Sequence, residues 1–160
     1  MLKIKIISVG KIKQPYFQAA VNDYLKRSSS YFNIEHIVVP TAIYPDKIND
    51  SLIQKAKKTE AQSILRRLSD GDFIGALALN SFEFCSEGFS EFIDQLASKS
   101  YKQVVFIIGG SYGLDESVIK RANQKISVSK MTLPHELALV FLLEQIYRAG
   151  NILNNTPYHK

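Results

Sequence analysis

The stretch VVFIIGGSYGLDES, from Val104 to Ser117, decides how this chain folds. Its first five residues are continuously apolar, as in a central strand of a parallel sheet. They run into a glycine turn, and an acidic helix start follows. Open α/β sheets present backbone to a small ligand at such a point, at the carboxyl ends of their strands. The stretch therefore predicts a parallel sheet with a candidate ligand site along one edge.

Strand and helix patterns alternate on both sides of this stretch. No repeat, linker or low-complexity segment interrupts them, so the sequence predicts one α/β domain over residues 1–160, with a mainly parallel sheet flanked by helices. The predicted strands cover residues 2–9, 33–40, 73–79, 104–108 and 126–128. The predicted helices cover residues 15–27, 48–68 and 86–97, a short segment that begins near residue 115, and residues 134 to about 153.

The last predicted helix has an unusual composition. Its segment LALVFLL, from Leu137 to Leu143, is apolar all the way round. A helix without a polar face is covered on every side. A domain this small is expected to leave one side of such a helix uncovered. We therefore predict that a second copy of the chain covers that side, in a homodimer.

Composition restricts the class of protein. Hydrophobic residues make up 46% and charged residues 22% of the 160 residues, as in ordinary soluble domains. The single cysteine, Cys85, excludes an internal disulfide, so the fold does not depend on an oxidising compartment. No apolar run approaches the ~20 residues of a membrane span, and the opening MLKIKIISVGK is typical of a strand rather than a signal peptide. The expected location is the cytoplasm.

The formal net charge of +5 is unevenly distributed. Residues 1–27 carry six basic side chains and one acidic one, whereas residues 70–99 carry six acidic side chains and one basic one. Such asymmetry is typical of a protein that shows one face to a polyanion. Charge alone equally allows a solvated face without a partner.

The glycine turn does not match the common phosphate-binding motifs. GGSYGL lacks the GK[ST] ending of a phosphate loop and is not GxGxxG. A neutral adenosine-like group therefore fits it better than a pyrophosphate does, and the alternative is a tight strand-to-helix turn that needs glycine for its own dihedral angles. There is no HExxH, no His/Cys cluster and no carboxylate set with metal spacing, so no metal site is expected.

Two further segments carry side chains of the types with which proteins contact nucleic acids. Tyr147 and Arg148 lie on the last helix, and Tyr158, His159 and Lys160 close the chain. Phenol and imidazole rings stack on bases, and cations pair with phosphates, as in RNA-binding proteins. RNA is therefore the leading polymer partner, although an ordinary frayed end is the alternative for a chain terminus.

Five segments together resemble one known family. The opening KIKIISVGK, IIGGSYGL, SKMTLPH (129–135), EQIYRA (144–149) and the terminal PYHK are similar to those of the RlmH family of SPOUT-class methyltransferases. That family methylates N3 of a pseudouridine in bacterial 23S ribosomal RNA. The resemblance covers essentially the whole chain. It implies a homodimer, a C-terminal trefoil knot and S-adenosylmethionine as methyl donor.

The resemblance also implies site residues. The donor site would use Leu77 at the end of the third strand and Gly109 in the glycine turn. Arg148 would hold a phosphate or the base edge, and Tyr158 or His159 would assist the loss of the N3 proton. The loop around the donor would consist of Val128, Ser129, Lys130, Met131, Thr132 and Leu133.

Three positions depart from the family pattern. Relatives usually have an acidic residue and a glycine where this chain has Ala78 and Ser81, and commonly an arginine where it has Leu139. Loss of that arginine would weaken contact with RNA or with the partner subunit. The alternative functions are a non-catalytic ribosome-binding or assembly protein with the same fold and, less favoured because no phosphate-binding signature is present, a Rossmann-like nucleotide enzyme. The expected substrate is the assembled ribosome, with free rRNA left open.

Overall fold

The computed structural model describes all 160 residues, and five strands alternate with five helices along the chain. Each predicted element is present, with shifts of a few residues at its ends. The strands are β1 (Lys3–Val9), β2 (Asn33–Val39), β3 (Asp72–Phe82), β4 (Gln103–Ile108) and β5 (Gln124–Ile126). The helices are α1 (Pro15–Ser28), α2 (Asp50–Leu65), α3 (Ser86–Ala97), α4 (Glu116–Arg121) and α5 (His135–Leu153).

All five strands form one parallel sheet in the order β2-β1-β4-β3-β5. The predicted α/β class is confirmed. The central strand β4 pairs with β1 on one side, where Ile7 faces Ile107, and with β3 on the other. Its residues from Val104 to Ile108 are all buried, which explains why the sequence is continuously apolar there. The trefoil knot stays a prediction.

Helices cover both faces of the sheet and enclose two cores. Helices α1, α3 and α5 pack on one face, where Phe106 lies near the middle of the larger core. Helices α2 and α4 cover the other face, where Ile107 belongs to the smaller core. Successive residues of β4 point to opposite faces because side chains alternate along a strand.

Local hydrogen bonds explain where the predicted boundaries shifted. Helix α2 begins two residues later than predicted because the Asn49 side chain caps it and accepts a hydrogen bond from the backbone N–H of Leu52 at 2.9 Å. Strand β3 is longer than predicted, and after an irregularity Phe82 pairs with Ile126. Strand β5 forms over residues 124–126 rather than 126–128 because these residues pair with Gly75, Ala76 and Leu77, and the chain beyond it is a loop.

Helix α5 is only partly covered within one chain. Leu139, Leu142 and Leu143 are buried in the larger core. Leu137 and Phe141, one turn apart, are 37% and 40% exposed. The sequence therefore correctly indicated an apolar helix, and one strip of it is uncovered in the single chain. No helix of the structure is long and apolar enough to cross a membrane.

Candidate functional site

A cavity of about 960 Å³ lies at the carboxyl ends of β3, β4 and β5. It is bounded by the glycine turn after β4 and by the loop that leads from β5 into α5, as expected for the ligand-binding edge of an open sheet. Lys130 belongs to that loop but does not line the cavity. The other seven residues assigned to the donor site by resemblance do line it: Leu77, Gly109, Val128, Ser129, Met131, Thr132 and Leu133.

The glycines of the turn after β4 are required by the turn itself. A Cβ added to Gly109 would lie 2.8 Å from the carbonyl carbon of Gly113, which is too close for any real contact. Gly113 has φ +79°, a left-handed conformation that favours glycine, and its N–H donates to the carbonyl of Gly110 at 3.0 Å. The tight-turn explanation therefore accounts for these glycines, and the same turn also forms one wall of the cavity.

Short-range hydrogen bonds shape the loop after β5. The Ser127 hydroxyl donates to the carbonyl of Ser129 at 2.7 Å, and the Ser129 hydroxyl accepts from the backbone N–H of Met131 at 3.0 Å. Leu133 anchors the far end of the loop against the larger core. The loop therefore lines the cavity in a defined irregular conformation, which hydrophobic periodicity alone does not predict.

The chemistry of the cavity wall fits a nucleoside with an apolar surround. The wall has apolar side chains such as Leu77 and Leu133, and no carboxylate. Lys125 and His135 contribute its basic nitrogen groups, and the turn contributes backbone. Apolar walls with a few polar groups are typical of small-molecule sites, and the volume is ample for S-adenosylmethionine. The structure contains no group of three or more metal-ligating side chains.

The three departures from the family pattern lie in different environments. Ala78 and Ser81 both line the cavity, on either side of Asn80, whose φ is +54°. Leu139 is 1% exposed and packs in the larger core. A side chain buried in this way does not reach RNA, so in this chain the position serves packing rather than surface contact.

The C-terminal residues form a second cluster, packed against α5. The Arg148 guanidinium donates through Nε to Glu144 Oε1 at 3.0 Å and lies 4.7 Å from the centroid of the Tyr158 ring. The Tyr158 hydroxyl donates to the same Glu144 oxygen at 3.1 Å, and its ring meets Tyr147 edge-on at 4.8 Å. The predicted residues Arg148 and Tyr158 are therefore brought together, and the chain end is packed rather than frayed.

Glu144 is the residue that sequence reasoning missed in this cluster. Its hydrogen bond is the main cause that raises the pKa of Arg148, and the two side chains form an ion pair. The spacing of four residues on one helix is a signal from which the pair could have been found. Glu144 therefore balances the charge of Arg148 within the chain.

His159 links the chain end to α3. Its Nδ1 lies 3.2 Å from Arg148 Nη1, and its Nε2 lies 2.9 Å from Glu87 Oε1. Arginine only donates, so Nδ1 accepts and the proton is on Nε2, which donates to Glu87. His159 therefore joins the C-terminal cluster to Glu87 at the start of α3.

The environment of Tyr158 determines its proton chemistry. Burial raises the pKa of Tyr158 to about 12, so the phenol keeps its proton at neutral pH. Tyr158 in this environment does not act as a base.

Comparison with known proteins identifies the family. A family profile described as "Predicted SPOUT methyltransferase" matches residues 2–159. The chain belongs to the SPOUT methyltransferase family. An Enterococcus faecalis protein named ribosomal RNA large subunit methyltransferase H is 42% identical over 159 residues, which are 99% of this chain and 100% of that protein. A protein of the same name from Ureaplasma urealyticum serovar 10 is 46% identical, over 98% of this chain and 99% of the relative.

These full-length similarities place the chain in the RlmH group of SPOUT methyltransferases and identify it as a methyltransferase. A crystal structure of a probable methyltransferase from Bordetella pertussis Tohama I superposes with a TM-score of 0.58, over 93% of this chain and 95% of the other. At 15% sequence identity, that structure shows the shared fold alone.

Proposed function

We propose that this chain is an S-adenosylmethionine-dependent methyltransferase that methylates N3 of a pseudouridine in 23S ribosomal RNA, on the assembled ribosome in the cytoplasm. Full-length similarity to proteins named ribosomal RNA large subunit methyltransferase H is the observation that carries this proposal. The cavity at the carboxyl ends of the strands supports the choice of donor, because seven of the eight residues expected around it line that cavity.

The cavity residues would hold the donor and orient it. Leu77 and Leu133 would enclose the adenine between apolar surfaces, and backbone of the glycine turn and of the loop after β5 would meet its polar edge. S-adenosylmethionine, when bound, supplies an electrophilic methyl group on a sulfonium. The chain's main task is therefore to align the acceptor nitrogen with that methyl group.

The C-terminal cluster would receive the acceptor. Its N3 carries a proton that must leave when the N–C bond forms, and the Nδ1 lone pair of His159 can accept this proton after Arg148 moves away. Arg148, released from Glu144 and His159, would then hold a phosphate of the RNA. This exchange would couple arrival of the substrate to exposure of the base.

The functional form of the protein would be a homodimer. The uncovered strip of α5, with Leu137 and Phe141, is an apolar surface that a second copy would cover. In such a dimer the C-terminal cluster of one subunit would approach the cavity of the other.

A tail deletion tests the function. Removal of residues 158–160 should leave S-adenosylmethionine affinity unchanged in calorimetry, because the donor cavity lies in residues 77–138. Methyl transfer to ribosomes from a strain that lacks the modification should fall by orders of magnitude. The full chain must methylate those ribosomes at a pseudouridine N3. Ribosome binding without transfer would instead indicate the non-catalytic assembly role.

A further inference from the structure

A buried carboxylate holds the loop between β2 and α2 in place. Glu60 of α2 is 4% exposed, and its Oε1 accepts hydrogen bonds from the backbone N–H of Ala42 at 3.0 Å and from the Tyr44 hydroxyl at 3.4 Å. A Cβ built on Gly110 would lie 3.7 Å from Glu60 Oε2. Burial of a carboxylate is unfavourable unless it is hydrogen-bonded. Here its bonds fix Tyr44 beside the glycine turn.

Tyr44 in turn packs on a residue of that turn. The ring centroids of Tyr44 and Tyr112 are 4.8 Å apart. Tyr112 lines the donor cavity and is 40% exposed, whereas Tyr44 does not line it. The two rings, called here the tyrosine platform, therefore extend from the cavity wall outwards.

Positive charge lies beside the tyrosine platform. The pKa of Asp115, just after the turn, is lowered mainly by the hydrogen bond from Ser117, and the nearby charges of Lys57 and Lys58 on α2 lower it further. Lys57 also acts on Glu60, where it opposes the effect of burial, which raises the pKa of that carboxyl. Lys57 lies one turn before Glu60 on α2, so an ammonium group is near the carboxylate that accepts from Tyr44.

We infer that the tyrosine platform stacks an unpaired nucleotide of the RNA substrate beside the acceptor base, with Lys57 and Lys58 near its phosphates. Aromatic rings within a positively charged groove are the combination that binds single-stranded nucleic acid. This inference rests on the proposed function. It adds an RNA subsite that is separate from the C-terminal cluster, and it accounts for a buried carboxylate that methyl transfer itself does not need.

Alanine variants of both tyrosines and a phenylalanine variant of Tyr112 test the subsite. In methylation assays with unmethylated ribosomes, Tyr44→Ala and Tyr112→Ala should each raise KM for ribosomes on the order of tenfold, with the effect on KM rather than kcat. Tyr112→Phe keeps the ring and should restore KM. The Kd for S-adenosylmethionine, measured by calorimetry, should not change in Tyr44→Ala. Circular dichroism should show that each variant is folded.

The lysines provide an independent measurement. The double variant Lys57→Ala/Lys58→Ala should make the slope of log KM against log salt less steep, by about 0.7 for each phosphate that the protein no longer neutralises. An unchanged KM for ribosomes in both Tyr44→Ala and Tyr112→Ala would overturn the inference. So would a rise in the S-adenosylmethionine Kd that parallels KM, since the rings would then belong to the donor site.

A failure of the proposed function gives a different result. A wild-type chain that binds ribosomes in sedimentation assays but transfers no methyl group contradicts the function and still allows the platform to be tested by binding. In that assay the alanine variants should bind about tenfold more weakly than wild type. Equal binding by wild type and both variants would reject the platform.

Discussion

The shape of the donor cavity depends on the absence of a Cβ atom at Gly109. Gly109→Ala should distort the turn, since its Cβ would press on the Gly113 backbone, and should weaken S-adenosylmethionine binding at least tenfold in calorimetry. Gly71→Ala is a matched control, because its Cβ would meet Lys102 at an ordinary 3.5 Å. The two variants should share a native circular dichroism spectrum. Wild-type donor affinity in Gly109→Ala would show that the turn does not shape the site.

Tyr158 separates the contribution of a hydroxyl group from that of a ring. Tyr158→Phe loses the hydrogen bond to Glu144 and should lower the free energy of unfolding by about 1 kcal/mol in urea titrations. Tyr158→Ala also removes the packing on Arg148 and Tyr147, so it should cost about 1–2 kcal/mol more. Methyl transfer should follow the same order. Equal effects of the two changes would mean that the ring does not contribute.

Helix α2 and the loop before it are joined through Glu60, which makes their stability depend on pH. Burial raises the pKa of this carboxyl, so the folded state binds its proton more tightly than the unfolded state does. The charged form thus destabilises the folded state above the raised pKa, and this cost is removed as the pH falls through it. Glu60→Gln abolishes the titration.

Urea titrations of wild type and Glu60→Gln at about pH 7 and about pH 5 measure this effect. The difference in the free energy of unfolding, Glu60→Gln minus wild type, should be larger at about pH 7 than at about pH 5. Glu35→Gln on β2, at an exposed position, is the control. If the relative stability of Glu60→Gln does not depend on pH, Glu60 does not titrate differently in the two states.

The assembly depends on the uncovered strip of α5. An arginine at Phe141 would bury an unpaired charge in a dimer, at a cost of several kcal/mol, but would remain solvated in a monomer. Phe141→Arg should therefore be monomeric and folded in light scattering and circular dichroism. Ile48→Arg, at a similarly exposed apolar residue, should stay dimeric. A monomeric wild type at micromolar concentration would refute the homodimer.

Much of this molecule could be predicted from short-range patterns. The apolar run of β4, Pro15 at the first turn of α1 and the alternation of strands and helices all follow from preferences that act over a few residues. The glycine turn after β4 likewise indicated a ligand site at the carboxyl ends of the strands, whereas Leu77 and the loop residues from Val128 to Leu133 were implied by the family resemblance. A parallel sheet brings the carboxyl ends of its strands to one edge, and for this reason the location of the site could be predicted.

Tertiary structure alone decided the partners of individual side chains. Glu60 contacts residues 16 and 18 positions away and borders a turn about fifty positions away, so no local pattern reveals it. Similarly, LALVFLL indicated a helix without a polar face but not which residues stay uncovered, and Leu139 proved to be core while Phe141 is exposed. Periodicity depends on the geometry of one element, whereas burial and hydrogen bonding depend on whatever other elements pack against it.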